Sequence, residues 1–326
     1  MNSLLDFHFC GTRTQAVLAL TRHYPSYSLK RSLLKGVNAL NQLGPRRVPR
    51  SLSRIGRAQE ALPGLAPNGT RAFLLHKIHQ TGRVYIFDEP PDAASGFVTK
   101  VALNEGAAAG IRREAAVLQS LAGRTPFHIP EVLSFDDWDG GCALRVSAIP
   151  RAWTIHEKGR PIPQALFDAV AGLRSESLPR ALPASEIWGW ASALAYATTP
   201  AIRAAASDID SQTLFAVAAA HRDLGSENVF SCLPARNASD FSIIDWEFFS
   251  ETAPALVDKV GVWLGVHHRT LKRMRKANVE TLATKFLSDF AGMPGGCHAA
   301  VIALLHLAET GIDLARILSG DVRGSG

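Results

Sequence analysis

Two short polar segments in the second half of the chain carry residue types suited to phosphoryl transfer. The first, His221–Asn228, places a carboxylate at Asp223 and an amide at Asn228, five residues apart, in what the pattern predicts to be a loop. The second places a carboxylate at Asp245, directly after the apolar pair Ile243-Ile244. One acid to orient a hydroxyl, with an amide and a second acid to hold magnesium, is the set that this chemistry needs.

The three residues would have different tasks. A carboxylate at Asp223 would accept the proton of an acceptor hydroxyl and orient it in line with a γ-phosphoryl group. Asn228 and Asp245 offer the hard oxygen ligands that Mg²⁺ prefers, and Mg²⁺ takes few ligands from protein and the rest from phosphate and water. Taken alone, Asp223 would be explained as a turn or helix-capping residue, but the two matching residues favour the catalytic interpretation.

The elements around these segments change character along the chain. Short alternating runs in residues 66–148 predict three strands, one helix and two further strands. From residue 149 onward helical patterns dominate, including one over Leu214–Ala220, and short strands interrupt them at the two motifs. The sequence therefore predicts an α+β fold with a small antiparallel sheet lobe carrying one helix (66–148) and a larger, mainly helical lobe (149–326).

The two motifs resemble those of a known family. The spacing His221-x-Asp223-x-x-x-x-Asn228 and the segment around Asp245 resemble the catalytic loop and the metal-binding segment of the aminoglycoside phosphotransferase / choline kinase family, which shares the protein-kinase-like two-lobe fold. By that resemblance Asp223 is the catalytic base, and Asn228 and Asp245 are magnesium ligands. His221 and Asp258 are implied to support the loop. The likeness extends loosely over roughly residues 70–320 through the order of elements.

The same resemblance implies a nucleotide site in the sheet lobe. The family needs a lysine on the third strand, paired with a glutamate on the following helix and held against the α- and β-phosphates. Lys100 and Glu114 match these positions, and the competing partner Glu105 is set aside because it precedes the helical periodicity. The alternative for Lys100 is a solubilising lysine on an edge strand. No G-x-G-x-x-G separates the first two strands, so Gly82 and nearby backbone groups would cover the phosphates.

Three observations bear on the acceptor. Helical periodicity resumes by about Ala255, soon after Asp245, which leaves little room for the long activation segment of a protein kinase and favours a small-molecule hydroxyl. Nine Lys and Arg residues against five Asp and Glu from Lys259 to the end do not support an acidic aminoglycoside pocket. Arg222, in place of the usual Gly, resembles the protein-kinase version of the loop. A sugar, an amino alcohol and an aminoglycoside-like compound all stay open as acceptors.

The function predicted from these residues is an ATP- (or GTP-) and Mg²⁺-dependent phosphotransferase that acts on a hydroxyl of a small molecule. Two alternatives remain. The missing glycine-rich loop would suit a nucleotide-binding regulatory module without catalysis, and a protein kinase is the less favoured third interpretation.

Charge and composition limit the partners and the location. The 326-residue chain has a formal net charge of +6, and residues 1–60 hold ten Lys and Arg against two Asp and Glu. Residues 1–65, outside the resemblance, are predicted to be a basic extension that is solvated or loosely docked and could touch an anionic surface, with no specific nucleic-acid partner. The chain shows no signal-peptide pattern, no membrane-length apolar run and no Cys/His metal spacing, so a cytoplasmic protein is predicted.

Overall fold

The computed structural model describes residues 7–10, 70–74, 82–89, 96–149, 153–156, 161–187, 189–225, 228–232, 235–267, 270–271 and 276–319. These residues fall into two compact units. The first unit takes those within Met1–Gly123, His128–Glu157 and Ser231–Leu233. The second takes those within Arg124–Phe127, Lys158–Phe230 and Pro234–Gly326.

The first unit is built on a six-stranded antiparallel sheet. Its strands are β1 (Phe7–Cys10), β2 (Thr70–Leu74), β3 (Arg83–Glu89), β4 (Phe97–Ala102), β5 (Val132–Trp138) and β6 (Gly141–Ser147). They lie in the order β1-β2-β3-β4-β6-β5, and every neighbouring pair is antiparallel. Strand β3 shows the period-two burial of a sheet, with Val84 and Ile86 fully buried between less buried neighbours. Strand β1 comes from the predicted N-terminal extension.

One helix, α1 (Glu105–Leu121), packs against β4 and β6 of this sheet. Its start is fixed by Asn104, whose side-chain oxygen accepts the N–H of Ala107 at 2.9 Å, as an N-cap residue does. Its buried face includes the four apolar residues whose spacing predicted the helix: Ile111, Ala115, Leu118 and Leu121. The helix begins at Glu105, several residues before the apolar periodicity that predicted it.

The second unit is mainly helical. Its helices are α2 (Gln164–Ala171), α3 (Trp190–Ala193), α4 (Pro200–Ser207), α5 (Val257–Val266), α6 (Lys276–Phe290), α7 (Gly296–Glu309) and α8 (Asp313–Ser319). Every residue of α7 from Ala300 to Ala308 is buried, as expected of a helix that is apolar on all sides. Helices α3, α4, α5, α6 and α8 all contact it. Gly311, with φ 98°, separates α7 from α8.

Six further strands, of two to seven residues, lie in the described ranges. They are β7 (Thr154–Ile155), β8 (Ala181–Pro183), β9 (Leu214–Ala220), β10 (Val229–Ser231), β11 (Phe241–Ile243) and β12 (Ser250–Pro254). Four 3-10 helices in the same ranges accompany them, at Ala184–Glu186, Leu194–Tyr196, Ala238–Asp240 and Trp246–Phe248. Strands β10 and β11 are hydrogen-bonded neighbours, and together with β9 they flank the two polar motifs.

Strand β9 corrects the helix predicted over Leu214–Ala220. Strands β8 and β12 pair with it on either side, both antiparallel. Its burial alternates, with Phe215, Val217 and Ala219 buried and Leu214 67 % exposed. The alanine-rich composition favours a helix, but pairing on both sides decides the conformation of so short a segment.

The predicted α+β fold class is confirmed: the described residues form an antiparallel sheet unit that carries α1 and a larger, mainly helical unit. Within the described ranges, no helix is both long and apolar enough to cross a membrane. Of the three cysteines whose side chains are described, Cys142 is buried, whereas Cys232 and Cys297 are partly exposed.

Candidate active site

A buried ion pair joins β4 to α1 in the first unit. Lys100 Nζ lies 2.8 Å from Oε1 and 2.7 Å from Oε2 of Glu114, and the two residues are 6 % and 2 % exposed. The strand register places Lys100 between Tyr85 on β3 and Leu144 on β6. Lys100 therefore lies on an inner strand, which excludes the alternative of a solubilising edge lysine. Burying both charges is unfavourable unless they are paired closely, as they are here.

Glu105, the competing partner for Lys100, is engaged elsewhere. Its carboxylate binds Arg112 on the surface of α1, and Arg112 Nη2 also lies 2.8 Å from Oδ1 of Asp137 on β5. The hydrogen bond from Arg112 holds the pKa of Asp137 below its usual value. The two glutamates of α1 thus have separate partners, one on the surface and one in the interior.

Gly82 lies directly before β3 and is buried. Its φ is +62°, and a Cβ atom at this position would come within 2.1 Å of Asn104 Nδ2. Its carbonyl accepts the N–H of Leu103 at 2.8 Å. The close approach to the cap of α1 therefore requires a glycine on structural grounds. The phosphate-covering role of Gly82 stays a prediction, and the preceding turn lies outside the described residues.

In the second unit, Asp258 holds the start of the loop that follows β9. It lies in the first turn of α5, where Oδ2 accepts the N–H of His221 at 2.9 Å and Oδ1 accepts the N–H of Arg222 at 2.7 Å. Burial raises the pKa of Asp258 to about 6, and the two backbone hydrogen bonds oppose that shift. The carboxylate fixes two successive peptide groups immediately before Asp223.

His221 links this loop to the segment that carries Asp245. The N–H of Asp223 donates to His221 Nδ1 at 3.3 Å, and His221 Nε2 lies 2.9 Å from the carbonyl oxygen of Ile244. Since Nδ1 accepts, the proton of the neutral ring is on Nε2, which donates to Ile244. The fully buried ring thus contacts Asp223 on one side and the residue before Asp245 on the other.

Asn228 contacts the predicted base directly. Its Nδ2 donates to the backbone carbonyl of Asp223 at 2.8 Å and to Asp223 Oδ2 at 3.0 Å. The backbone carbonyl of Asn228 accepts the N–H of Ile244 at 3.0 Å. Because the amide nitrogen faces the oxygens of Asp223, the amide oxygen is the atom left to serve as a metal ligand. The backbone hydrogen bond places Asn228 beside the residue that precedes Asp245.

Asp245 lies two residues after β11, directly before the 3-10 helix Trp246–Phe248, and has an unusual backbone conformation. Its φ and ψ are 67° and 57°, in the left-handed region, and Arg222 also has φ 67°. Among the non-glycine residues that the structure describes, these two alone have positive φ. Such strain persists where the surroundings hold it, and it is commonly found at functional sites.

Trp246 supports the strained backbone next to it through the contacts of its ring, a role that the sequence did not predict. The indole is fully buried and its Nε1 donates to the carbonyl of Ile243 at 2.9 Å. Its ring stacks on Phe127 at a centroid distance of 5.9 Å and meets the rings of His221 and Phe249 edge-on at 4.8 and 5.6 Å. The signal available in the sequence was a large aromatic residue directly after the predicted metal ligand.

The donor set fits Mg²⁺ held jointly with a phosphate. It consists of one amide oxygen, from Asn228, and one carboxylate, from Asp245, brought together by the hydrogen bond between Ile244 and Asn228. Across the described part of the chain, no group of three or more His, Cys, Asp or Glu side chains could hold a metal. Mg²⁺ is commonly bound through one or two protein ligands plus substrate phosphates and water.

The raised pKa of Asp258 predicts a measurable dependence of stability on pH. The folded-state pKa of about 6 exceeds the ordinary value of 3.8, so the folded protein holds this proton more tightly and its stability falls as pH rises through this interval. The free energy of unfolding of wild type minus that of Asp258→Asn is expected to fall by about 2 kcal/mol between pH 4 and 7. Urea unfolding of both proteins across this range measures it. A difference that does not change with pH would contradict the assignment.

Comparison with known proteins gives structural relatives only. No protein-family model matches the chain, and no curated protein matches it in sequence. A type VIII aminoglycoside-3'-phosphotransferase is 18 % identical, with 78 % of this chain and 98 % of that chain covered and a TM-score of 0.47. The GDP complex of wild-type aminoglycoside 2'-phosphotransferase-IIIa is 14 % identical, with 74 % and 89 % covered and a TM-score of 0.42. A candidate fructosamine-3-kinase from Haemophilus somnus 129PT is 11 % identical, with 74 % and 88 % covered and a TM-score of 0.36.

Two of these three proteins are aminoglycoside phosphotransferases. The scores describe a loose similarity of fold. The chemistry of the site is defined by its own contacts.

Proposed function

We propose that the protein transfers the γ-phosphoryl group of ATP or GTP to a hydroxyl of a small molecule, with Mg²⁺. One observation carries the proposal: the side-chain amide of Asn228 donates to Asp223, and the backbone carbonyl of Asn228 accepts the N–H of Ile244. The base, the amide ligand and the segment bearing Asp245 thus form one hydrogen-bonded assembly. An ordinary turn or cap aspartate would not require a hydrogen bond from the side-chain amide of Asn228.

Asp223 would act on the acceptor. Its side chain is partly exposed, and Asn228 orients it through Oδ2. In this orientation it would accept the proton of the acceptor hydroxyl and align the oxygen for in-line attack. The contribution of this chain to the reaction is positioning together with a fixed electrostatic environment, and no covalent enzyme intermediate is needed.

Asn228 and Asp245 would hold the metal, and Lys100 would bind the nucleotide. Bound Mg²⁺ would neutralise charge on the β- and γ-phosphate oxygens. Lys100 would contact the α- and β-phosphates, with its ammonium group oriented by both oxygens of Glu114. A lysine fixed in this way binds phosphate without the loss of side-chain freedom that a surface lysine incurs.

The short connection after Asp245 supports a small acceptor. The chain passes from Trp246–Phe248 into β12 and reaches α5 at Val257, and every residue of this stretch is described. A protein kinase uses a long segment at this place to bind its peptide. The acceptor therefore stays a sugar, an amino alcohol or an aminoglycoside-like compound.

The test is an acceptor panel. Release of ADP or GDP is measured with sugars, choline, homoserine and aminoglycosides in the presence and absence of Mg²⁺. The proposal requires Mg²⁺-dependent turnover of at least one acceptor. Nucleotide binding without turnover of any acceptor would instead support a regulatory module, and transfer of labelled phosphate to peptides would support a protein kinase.

Replacing the metal-binding carboxylate tests the metal assignment separately. Asp245→Asn is expected to lower kcat by about 10²- to 10³-fold and to raise the Mg²⁺ concentration needed for half-maximal rate, because metal neutralisation of phosphate charge is worth several kcal/mol. Rates are measured across a Mg²⁺ titration. Asp289→Asn on the surface of α6 is the matched control and should reproduce the wild-type titration. Wild-type Mg²⁺ dependence in Asp245→Asn would remove this residue from the metal site.

A further inference from the structure

We propose that Arg222 is a positioning residue that holds the loop bearing Asp223 against the segment that follows Asp245. The proposal rests on the function proposed above. It gives a role to Arg222, which occupies a position where the family that the motifs resemble usually has glycine.

Arg222 contacts three different parts of the second unit. Its backbone N–H donates to Asp258 Oδ1 at 2.7 Å, and its Nε donates to the carbonyl of Phe248. Its Nη1 lies 3.4 Å from Nε2 of His306 on α7. Phe248 ends the 3-10 helix that begins directly after Asp245. The side chain of Arg222 therefore contacts the turn after Asp245 and the buried helix α7, while Asp258 holds its backbone N–H.

The strained backbone conformation of Arg222 supports a role for its side chain. With φ 67°, Arg222 occupies a region in which a residue with a Cβ atom is strained and glycine is not. If the position only had to turn the chain toward Asp223, glycine would serve it better. The strain is compatible with a stable fold because Asp258, Phe248 and His306 hold the residue from three sides.

His306 suits the role of a fixed acceptor for the guanidinium group. It is buried on α7, and burial, followed by the charge of Arg222, lowers its pKa to about 3. A neutral imidazole can accept a hydrogen bond from Arg222, whereas an imidazolium would repel it. The guanidinium group is thereby attached to a helix whose residues from Ala300 to Ala308 are all buried.

The consequence for catalysis is geometric. Asp223 directly follows Arg222, and Phe248 lies three residues after Asp245, so the hydrogen bond between Arg222 and Phe248 fixes the spacing of the base and the metal ligand. Without it the two segments can shift relative to each other. Misplacement of a reacting group by about 1 Å can lower a rate by about 100-fold.

The experiment compares Arg222→Gly with wild type. Glycine accepts the left-handed backbone, so the fold is retained while the side-chain contacts are lost. We expect kcat to fall by about 10- to 100-fold with both KM values within about twofold, because the loss affects only the aligned transition state. Millimolar guanidinium chloride should restore part of kcat in Arg222→Gly. Arg222→Lys, which keeps the charge but lacks the guanidinium fork, should stay below wild type.

Arg316→Met is the matched control. Arg316 Nε donates to the carbonyl of Ala308 at 2.9 Å, so this variant also removes an arginine-to-carbonyl hydrogen bond in the same unit, away from the loop. Its kcat should stay at the wild-type value, and guanidinium should have no effect. If Arg222→Gly has wild-type kcat, or loses activity only together with thermal stability and without rescue, the positioning role is refuted.

A failure of the proposed function is distinguishable from a failure of this inference. If wild type turns over no acceptor, the function fails, and hydrogen exchange of residues 221–225 and 245–249 then decides the role of Arg222. Faster exchange in both segments of Arg222→Gly, with global stability unchanged, supports the connection between them. Unchanged exchange in either segment overturns it.

Discussion

Asp223→Asn is expected to lower kcat by about 10²- to 10⁴-fold, the range that a positioned general base contributes. Asparagine matches aspartate in size and still offers an oxygen to the Asn228 amide, which donates to Oδ2 at 3.0 Å. It cannot accept the proton of the acceptor hydroxyl. The free energy of unfolding should change by less than about 1 kcal/mol, since the side chain is partly exposed and keeps its shape. Steady-state rates and urea unfolding, both at pH 7, test the two statements.

The control for Asp223→Asn is Asp289→Asn. Asp289 lies on α6 and accepts hydrogen bonds from Trp263 Nε1 at 2.8 Å and from Lys285 at 2.8 and 2.9 Å, so the control also alters a hydrogen-bonded carboxylate. It should retain wild-type kcat. Wild-type turnover by purified Asp223→Asn would remove Asp223 from the reaction. Nucleotide affinity measured for both variants should match wild type, which separates loss of chemistry from loss of binding.

Lys100→Met is expected to reduce the free energy of unfolding by about 3–5 kcal/mol, because it leaves the carboxylate of Glu114 buried without its counter-charge. It should also raise the KM for the nucleotide and lower kcat, since the phosphates lose their cation. The double variant Lys100→Met/Glu114→Leu separates the two effects. Apolar replacement of a buried ion pair is often neutral or stabilising, so stability should return while activity does not.

The exposed pair Lys285–Asp289 is the control for the buried pair. Its nitrogen–oxygen distance of 2.8 Å equals that in the buried pair to within 0.1 Å, but it lies on the helix surface. Lys285→Met should change the free energy of unfolding by about 0.5 kcal/mol and leave activity unaltered. If the double variant at Lys100 and Glu114 regains turnover together with stability, Lys100 is a structural residue and has no role in phosphate binding.

The sequence predicted the sheet unit well because its signals are local. Alternating apolar residues mark β3 and β4, and the spacing of Ile111, Ala115, Leu118 and Leu121 marks α1. The polar motifs were also accessible, since phosphoryl transfer requires particular residue types at fixed short spacings. For β9 the prediction was wrong because an alanine-rich segment of this length becomes a strand only through partners distant in sequence, β8 and β12.

The contacts that hold the site together were harder to predict from the sequence. Asp258 could have been a surface residue of its helix until the structure showed its two hydrogen bonds to the loop backbone. The conformation of Arg222 and the burial of Trp246 depend on residues distant in the sequence: His306 lies 84 positions after Arg222, and Phe127 lies 119 positions before Trp246. A single sequence contains the identity of such residues but not their proximity.

Strand β1 lies within the basic N-terminal segment, so shortening the protein at its N-terminus would change the sheet. Phe7–Cys10 pair with β2 at one edge of the sheet, and residues 11–69 lie between the two strands in the chain. A shortened protein starting at residue 66, the boundary that the motifs alone suggest, would lose this edge strand. The backbone N–H and C=O groups of β2 would then be open to pairing with a second molecule, which is a common route to self-association. Phe7–Cys10 thus cover the edge of β2 that would otherwise be exposed.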